Sequence, residues 1–303
     1  MSEVKTILLT EPGEIVEDAI LVLKNHGYNI VDDLDFDRST VDGIFIRSYT
    51  KVTSEYLDQF PNLKVVLRAG VGLDNIDIQA CQIRNIKVFN SPGANSDAVA
   101  EYALGMIIYT LRQINPQVKN VQSGNWRDHS NIGDSITSKK IGLLGCGNAG
   151  KSLAQKLSAL RVECLGYDPY VSEEDMAAIG VEKRELESLL LESDIVVVMV
   201  PLTPSTNNLL NEKNLNLLKP DAYLINVSRG EIIEELALIN LLKKNVIKGA
   251  VLDVVVGEPV VSKELLSLPN VVITPHIAGF TVESNMNICT SVVNNFIASQ
   301  QRV

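Results

Sequence analysis

Three polar clusters follow apolar, β-branched segments in the second half of the chain. Arg229 follows AYLI, Glu258 follows VLDVVVG, and His276 follows VVIT. Ligands of open parallel sheets bind outside the carboxyl ends of the strands. There an arginine could hold a carboxylate or carbonyl, a histidine could move a proton, and a glutamate could orient the histidine and favour its charge. Each residue also has a structural interpretation: Arg229 could pair with a surface acid, Glu258 could cap a turn, and His276 could be a satisfied buried histidine.

A glycine-rich turn lies upstream of these clusters. Gly145, Gly147 and Gly150 form GxGxxG between the apolar segment IGLL and the helical segment KSLAQKLSAL. The first glycine permits a tight turn, the second lets the backbone approach a pyrophosphate, and the third lets helix and strand pack closely. Asp168 ends the next predicted strand, where a carboxylate can accept hydrogen bonds from a ribose and would repel a 2′-phosphate. Together these residues predict an NAD site rather than an NADP site.

The elements that must position these residues are short apolar strands alternating with helices, a pattern typical of parallel α/β sheets. Five early segments predict one sheet: TILLT, YNIV, GIFIRS, KVVLRA and IKVFN. Six later segments predict a doubly wound sheet: KKIGLLGCGNAG, ECLGYDP, DIVVVMVPLTPST, AYLINVSRG, GAVLDVV and NVVITPH. The apolar segment at 282–299 has no place in the second sheet, so we expect it to return to the first domain.

A single helix is predicted at 96–121. Its apolar residues surround most of the circumference, so we expect it to be buried all round. A position between domains or against a partner subunit would satisfy this requirement. The pattern therefore favours a dimer.

Length and composition exclude several classes of protein. The 303 residues are enough for about two domains, and contents of 46% hydrophobic and 21% charged residues exclude disordered, collagen-like and coiled-coil chains. A net charge of −10 without a basic patch argues against binding to nucleic acids or anionic membranes. Without a signal-peptide pattern or a long apolar run, a cytoplasmic location is expected. Four scattered cysteines predict reduced, mostly buried thiols and no metal site.

Five segments resemble the D-isomer-specific 2-hydroxyacid dehydrogenases: RAGVGLDNID at 68–77, GLLGCGNAG at 142–150, NVSRGEIIEE at 226–235, LDVVVGEP at 252–259 and TPHIAG at 274–279. The resemblance implies an α/β fold of two Rossmann-like, doubly wound domains. An NAD-binding domain at 93–281 would be inserted into a discontinuous substrate-binding domain at 1–92 and 282–303.

The same resemblance implies roles for individual residues. Arg229, Glu258 and His276 match the catalytic arginine, glutamate and histidine of the family. Positions that contact NAD in the family are occupied here, beside the three glycines, by Asn148, Ala149, Asp168, Pro201, Thr206, Val227 and Asp253. The chain departs from the family where bulkier residues often stand in place of Asn148 and Ala149.

Segments FIRSYTKVT at 45–53, LRAGVGLDNID at 67–77 and SGNWRD at 123–128 most resemble family members that oxidise 3-phospho-D-glycerate. Arg47, Arg68 and Arg127 lie in these segments, and guanidinium groups suit phosphate. The turn at Val71 and Gly72 would offer backbone N–H groups to a substrate carboxylate. Each arginine could instead be a solubilising surface charge, and for Arg127 the two interpretations are equally weighted. Since the chain ends soon after its last helix, serine-sensing regulation through a C-terminal domain is not expected.

The resemblance thus implies NAD-dependent oxidation of a D-2-hydroxy acid, with 3-phospho-D-glycerate, a precursor for serine biosynthesis, as the expected substrate. His276 would accept the hydroxyl proton, Arg229 would hold the carboxylate, and Glu258 would stabilise protonated His276. Two alternatives stay open. One is a reductase of the same family that acts on glyoxylate, hydroxypyruvate or a D-lactate-type acid. The other is a protein that senses NADH without turnover. The expected assembly is a homodimer through the NAD-binding domain.

Overall fold

The chain forms two compact units, each built on its own parallel sheet. The structure is a computed structural model that describes residues 4–33, 35–127 and 129–301. The first unit comprises Met1–Asn95 and Phe280–Val303, and the second comprises Ser96–Gly279. The predicted α/β class is therefore confirmed. Within the described ranges, no helix is long and apolar enough to cross a membrane.

The elements are numbered in chain order. The strands are β1 (Thr6–Leu9), β2 (Asn29–Val31), β3 (Gly43–Ile46), β4 (Val65–Arg68), β5 (Lys87–Phe89), β6 (Lys140–Leu144), β7 (Glu163–Tyr167), β8 (Val181–Lys183), β9 (Ile195–Val198), β10 (Tyr223–Asn226), β11 (Gly249–Leu252) and β12 (Val271–Ile273). The α-helices are α1 (Glu17–Asn25), α2 (Ser54–Leu57), α3 (Ile78–Ile83), α4 (Ser96–Leu111), α5 (Ile114–Gln122), α6 (Asn148–Ala159), α7 (Glu173–Ala178), α8 (Leu186–Glu192), α9 (Glu212–Leu215), α10 (Glu235–Lys243), α11 (Lys263–Leu266) and α12 (Val282–Gln301). Short 3₁₀ turns lie at Pro12–Glu14, Arg38–Thr40, His129–Asn131, Ile136–Ser138 and Gly230–Ile232.

The first unit has the strand order β2-β1-β3-β4-β5, with all strands parallel. Its three inner strands, β1, β3 and β4, are buried on both faces because helices cover both sides of the sheet. One face packs against α1 and α12. There the Phe296 ring centroid lies 5.3 Å from that of Tyr28 and 5.7 Å from that of Phe89. The last helix of the chain is thus part of the first unit's core.

The second unit has the parallel order β12-β11-β10-β9-β6-β7-β8. All six predicted segments form strands, and the structure adds a seventh, β8, at the edge. Only Val181 of its three residues is buried. Because an edge strand needs no continuous apolar run, VEK carried no signal of a strand.

The expected single helix at 96–121 is two helices, so that prediction is wrong. Gln113 takes the left-handed conformation, with φ of 51°, which interrupts the helical hydrogen-bond ladder between α4 and α5. Ala100 and Ala103 are fully buried where α4 packs on α6, because small side chains allow close approach. Ile108 on the other side is 38% exposed. The apolar residues of this segment are therefore not buried on every side within one chain.

Candidate active site

The glycine-rich turn joins β6 to α6, and its three glycines meet different constraints. Gly145 has φ of 104°, and a Cβ there would lie 2.9 Å from the carbonyl carbon of Met199. A Cβ on Gly150 would lie 2.2 Å from the Gly145 oxygen. At Gly147 a Cβ would have nothing within 4 Å. Packing therefore requires the first and third glycines, while the second faces open space at the start of α6, where backbone N–H groups suit an anion.

Asp168 follows β7 and braces this turn. Its Oδ2 accepts the Cys146 backbone N–H at 3.0 Å, and its Oδ1 accepts that of Tyr170 at 2.9 Å. A carboxylate oxygen can accept more than one hydrogen bond, so the half-buried Asp168 could also accept from a ribose. Burial raises the pKa of the Cys146 thiol to about 12, which keeps this neighbour uncharged.

Five further positions predicted to contact the cofactor lie at the same sheet edge, because β6, β9 and β10 are neighbours. Asn148 and Ala149 are the first residues of α6. After β9, the Thr206 hydroxyl donates to the Pro201 carbonyl at 2.6 Å. Val227, directly after β10, is almost completely buried.

Asp253, after β11, has its carboxylate occupied by protein donors. The side chain is 1% exposed. Oδ1 accepts the Thr274 hydroxyl at 2.6 Å and the Ile277 N–H at 2.8 Å, and Oδ2 accepts the Ala278 N–H at 2.8 Å. The carboxylate therefore holds the segment after β12, and a direct contact between Asp253 and a cofactor stays a prediction.

His276 and Glu258 form a hydrogen-bonded pair across the ends of β12 and β11. His276 Nδ1 lies 2.6 Å from Glu258 Oε1, with the side chains 43% and 39% exposed. Burial pushes the pKa of Glu258 up, but the hydrogen bond and charge of His276, helped by the Arg229 charge, hold it below its ordinary value. Since an ionised carboxylate only accepts, Nδ1 must donate. Nε2 is then the nitrogen that can exchange a proton with a ligand.

Arg229 lies in the turn after β10. Its Nη1 donates to the Ser228 carbonyl at 2.7 Å. The fully buried Asn226 shapes the turn, because its side-chain amide donates to the Arg229 carbonyl at 2.8 Å and its oxygen accepts the Ser228 N–H at 3.0 Å. Arg229, Glu258 and His276 therefore stand at the ends of three adjacent strands, β10 to β12.

Two hydroxyl groups that the sequence did not single out also belong to this region. Tyr102 of α4 lies 2.5 Å from the Thr274 hydroxyl, which in turn contacts Asp253. Thr274 stands inside TPHIAG, so its motif was a usable signal. Tyr102 lies in an apolar helix and carried none.

The first unit holds the remaining predicted residues at the carboxyl edge of its sheet. The Arg47 backbone N–H donates to Glu11 Oε1 at 3.1 Å, and Glu11 also accepts the Thr50 N–H at 2.9 Å. The buried Nη1 of Arg47 has no hydrogen-bond partner among the described residues. Arg68, the last residue of β4, is 7% exposed, and its guanidinium covers Gly70, whose added Cβ would lie 1.1 Å from Nη1.

The turn after β4 presents backbone donors. Across the described ranges, no hydrogen bond to another residue uses the N–H of Val71 or Gly72. The Val71 carbonyl is held by the Asn90 side chain at 2.7 Å. Arg127, in contrast, belongs to the second unit, where it is exposed in the loop between α5 and β6. Within the first unit the structure thus collects Arg47, Arg68 and the turn at one sheet edge, without Arg127.

Neither unit offers a metal site in its described part, since no group of three or more His, Cys, Asp or Glu side chains could hold an ion. The four cysteines are buried and free of disulfides.

The second unit matches a known family. Residues 104–278 match the family described as D-isomer specific 2-hydroxyacid dehydrogenase, NAD binding domain. The chain is 39% identical over 251 residues to D-3-phosphoglycerate dehydrogenase of Synechocystis, which covers 83% of this chain and 45% of that protein. It is 37% identical over 256 residues to hydroxypyruvate reductase of Thermotoga maritima, covering 84% of this chain and 83% of that protein.

The whole chain also resembles a solved structure. D-lactate dehydrogenase of Aquifex aeolicus, crystallised with NAD and lactic acid, superposes with a TM-score of 0.87 at 28% identity. The match covers 98% of this chain and 96% of that one. The chain spans about half the length of the phosphoglycerate dehydrogenases that it matches, 45% and 56% in two cases.

Proposed function

The chain belongs to the D-isomer-specific 2-hydroxyacid dehydrogenase family, and from that premise we propose that it oxidises a D-2-hydroxy acid to the 2-keto acid with NAD. The observation that carries this proposal is the 2.6 Å hydrogen bond between His276 and Glu258. It lies one strand from Arg229, so a proton-transfer group and a carboxylate-binding group share one sheet edge.

The glycine-rich turn fits the pyrophosphate of NAD. Gly147 faces open space at the start of α6, while Asp168 presents a carboxylate at the end of the neighbouring strand β7. A negative charge there disfavours the 2′-phosphate of NADP. NAD, when bound, supplies the acceptor for the hydride that leaves the substrate carbon. The chain's own part is to hold the pyrophosphate and the ribose.

Proton transfer falls to His276. With Nδ1 donating to Glu258, Nε2 accepts the proton of the substrate hydroxyl, and the Glu258 carboxylate stabilises the imidazolium that forms. The lowered pKa of Glu258 keeps that carboxylate charged at neutral pH. Arg229 holds the substrate carboxylate and polarises the carbonyl that develops. In the reverse direction His276 starts protonated and donates.

We propose 3-phospho-D-glycerate as the substrate. The similarity to proteins named D-3-phosphoglycerate dehydrogenase supports it. So does Arg47, which directly follows β3 at the carboxyl edge of the first sheet, because a guanidinium group suits phosphate. The N–H groups of Val71 and Gly72 could donate hydrogen bonds to the substrate carboxylate. The relative named hydroxypyruvate reductase favours the second candidate, reduction of an unphosphorylated 2-keto acid.

An NAD reduction assay separates these candidates. Turnover is compared between 3-phospho-D-glycerate, D-glycerate and D-lactate, and in reverse between 3-phosphohydroxypyruvate, hydroxypyruvate and glyoxylate. A kcat/KM at least tenfold higher for the phosphorylated pair supports the proposed substrate. Equal or better use of the unphosphorylated acids contradicts it. Tight NADH binding without turnover of any of these acids would instead favour a protein that senses NADH.

We further propose that the chain forms a homodimer through the second unit. Four apolar side chains of α4 and α5 are exposed: Ile108 at 38%, Ile114 at 38%, Val118 at 47% and Val121 at 50%. A second copy of the same face would remove them from water. Val118→Asp should therefore give a monomer in sedimentation equilibrium, whereas Leu236→Asp, at a 63% exposed position of α10, should not. A parent chain that sediments as a monomer contradicts this proposal.

A further inference from the structure

Three hydrogen-bonded side chains connect α4 to the segment that carries His276. The Tyr102 hydroxyl lies 2.5 Å from Thr274 Oγ1, and Thr274 Oγ1 lies 2.6 Å from Asp253 Oδ1. All three residues belong to the second unit. Asp253 is 1% exposed, so its carboxylate depends on protein donors rather than on water.

The direction of the donors follows from their chemistry. An ionised carboxylate can only accept hydrogen bonds, so the Thr274 hydroxyl must donate its single proton to Asp253. The Thr274 oxygen can then only accept from its other neighbour, and Tyr102 must donate. Burial raises the pKa of Tyr102 to about 12, so the phenol keeps its proton at every pH at which an enzyme would work. The hydrogen bonds therefore run in one fixed direction, from Tyr102 through Thr274 to Asp253.

Asp253 in turn fixes the backbone around His276. Its carbonyl accepts the His276 N–H at 2.8 Å, while its carboxylate accepts the N–H groups of the next two residues, Ile277 and Ala278. His276 itself has φ of 55°, in the left-handed region that residues other than glycine rarely adopt. Such a conformation persists only where surrounding contacts impose it.

We propose that Tyr102, acting through Thr274 and Asp253, is a positioning residue that holds the His276 ring against Glu258. The effect expected on the reaction rate rests on the proposed function. The structural effect is independent of it, because loss of the Tyr102 hydroxyl leaves the Thr274 oxygen without its donor. The hydrogen bonds from Asp253 that hold the backbone of His276 then loosen. Neither Tyr102 nor Thr274 needs to touch the substrate.

Tyr102→Phe tests the proposal, because it removes one hydroxyl and keeps the ring that packs α4. We expect kcat to fall roughly tenfold, within the range that misplacement of a catalytic group causes, while the KM for NAD stays within twofold of the parent value. Tyr109→Phe makes the same change seven residues further along α4, where the hydroxyl has no hydrogen-bond partner among the described residues, and should leave kcat unchanged. A Tyr102→Phe variant as active as Tyr109→Phe overturns the proposal.

Two variants of Thr274 test whether the three groups act as one chain. Thr274→Val should lower kcat like Tyr102→Phe, and Thr274→Ser, which keeps the hydroxyl, should restore it. The double variant Tyr102→Phe/Thr274→Val should be no slower than Thr274→Val alone, since the two changes break the same link. If the fold decreases in kcat multiply in the double variant, Tyr102 and Thr274 do not act through the same hydrogen-bonded connection.

A readout without turnover separates this proposal from the proposed function. The chain has only three histidines, so the His276 ring signal can be assigned by NMR from its loss in His276→Asn. Among the described residues, Glu258 pairs with Nδ1 of the ring, Asp253 holds the His276 backbone N–H, and the Arg229 charge acts on Glu258. Tyr102→Phe should lower the pH at which this signal titrates toward the value in Glu258→Gln. An unchanged titration overturns the positioning role. If the parent is inactive on every acid, the proposed function fails and this titration still decides the role.

Discussion

Asp42 and Asp194 occupy the same place in the two sheets. Each directly precedes the strand beside the first strand of its sheet, β3 or β9. Asp42 accepts the N–H of the first residue of β1 at 3.2 Å and the Lys64 ammonium at 2.5 Å. Asp194 accepts the N–H of the first residue of β6 at 2.8 Å and the Lys219 ammonium at 3.1 Å. Both carboxylates lie at the amino edges of their sheets, so their role is to join strands.

Stability at low pH should depend on Asp42. Burial raises the pKa of Asp42, but the hydrogen bond from Lys64 and those from two backbone N–H groups outweigh burial and lower it. The stabilisation is therefore complete above the ordinary aspartate pKa of about 3.9 and is lost as the pH falls through the lower folded value. Asp42→Ala should cost about 1–3 kcal/mol of unfolding free energy at pH 7, measured by urea denaturation.

The matched control for Asp42 is Asp58→Ala. The Asp58 carboxylate is 65% exposed and pairs with Arg84 at the surface of the same unit. Surface pairs contribute about 0–1 kcal/mol, so this variant should unfold close to the parent. Equal losses in the two variants would show that the strand-joining position of Asp42 has no special value.

Cofactor choice should depend on Asp168. Asp168→Asn keeps an oxygen that can accept from Cys146 or Tyr170 but removes the charge, so NAD should bind more weakly and NADP more tightly than in the parent. Fluorescence titration with NADH and NADPH measures both dissociation constants. Glu163→Gln, at the opposite end of β7, should change neither. A parent chain that binds both cofactors equally would contradict the role given to Asp168.

The pH profile should respond to Glu258. In the oxidation direction the proton acceptor must start neutral, so activity rises with pH; in reduction it must start protonated, so activity falls with pH. Glu258→Gln keeps the side-chain shape and removes the charge that favours imidazolium. Both limbs should therefore move to lower pH, as measured by kcat/KM profiles in each direction. If both limbs stay in place, the proton is carried by a group other than His276.

Binding of the substrate phosphate should depend on Arg47. Arg47→Ala removes a charge-assisted contact of roughly 1.5–3 kcal/mol, which corresponds to about a ten- to hundredfold rise in KM for 3-phospho-D-glycerate. D-Glycerate, which lacks the phosphate, should be affected much less. Arg38→Ala, whose guanidinium stacks over the Phe60 ring at 5.3 Å, is the control in the same unit and should leave both KM values unchanged. Equal losses on both acids would show that Arg47 holds the carboxylate or the fold.

Much of the fold is local in origin and could be predicted from the sequence. A central parallel strand must be apolar on both faces, so the sequence shows β3, β4, β6 and β9 as short apolar segments. The glycine-rich turn is equally local, because Gly145 needs a positive φ and Gly150 must lie against the turn itself. Strand ends are local too, and parallel strands share one edge. Arg229, Glu258 and His276 could therefore be placed at a common edge before any tertiary contact was known.

Other features depend on contacts between distant residues, which no local pattern encodes. The break at Gln113 leaves one apolar face of α4 and α5 exposed, although the composition of the segment suggested burial all round. Asp253 follows its strand as a site residue would, yet the segment after β12 covers its carboxylate. Tyr102 and Thr274 lie 172 residues apart and meet only because α4 packs beside the sheet. Local propensity determines where strands and turns form, but a hydrogen bond between distant side chains exists only once packing has brought them within about 3 Å.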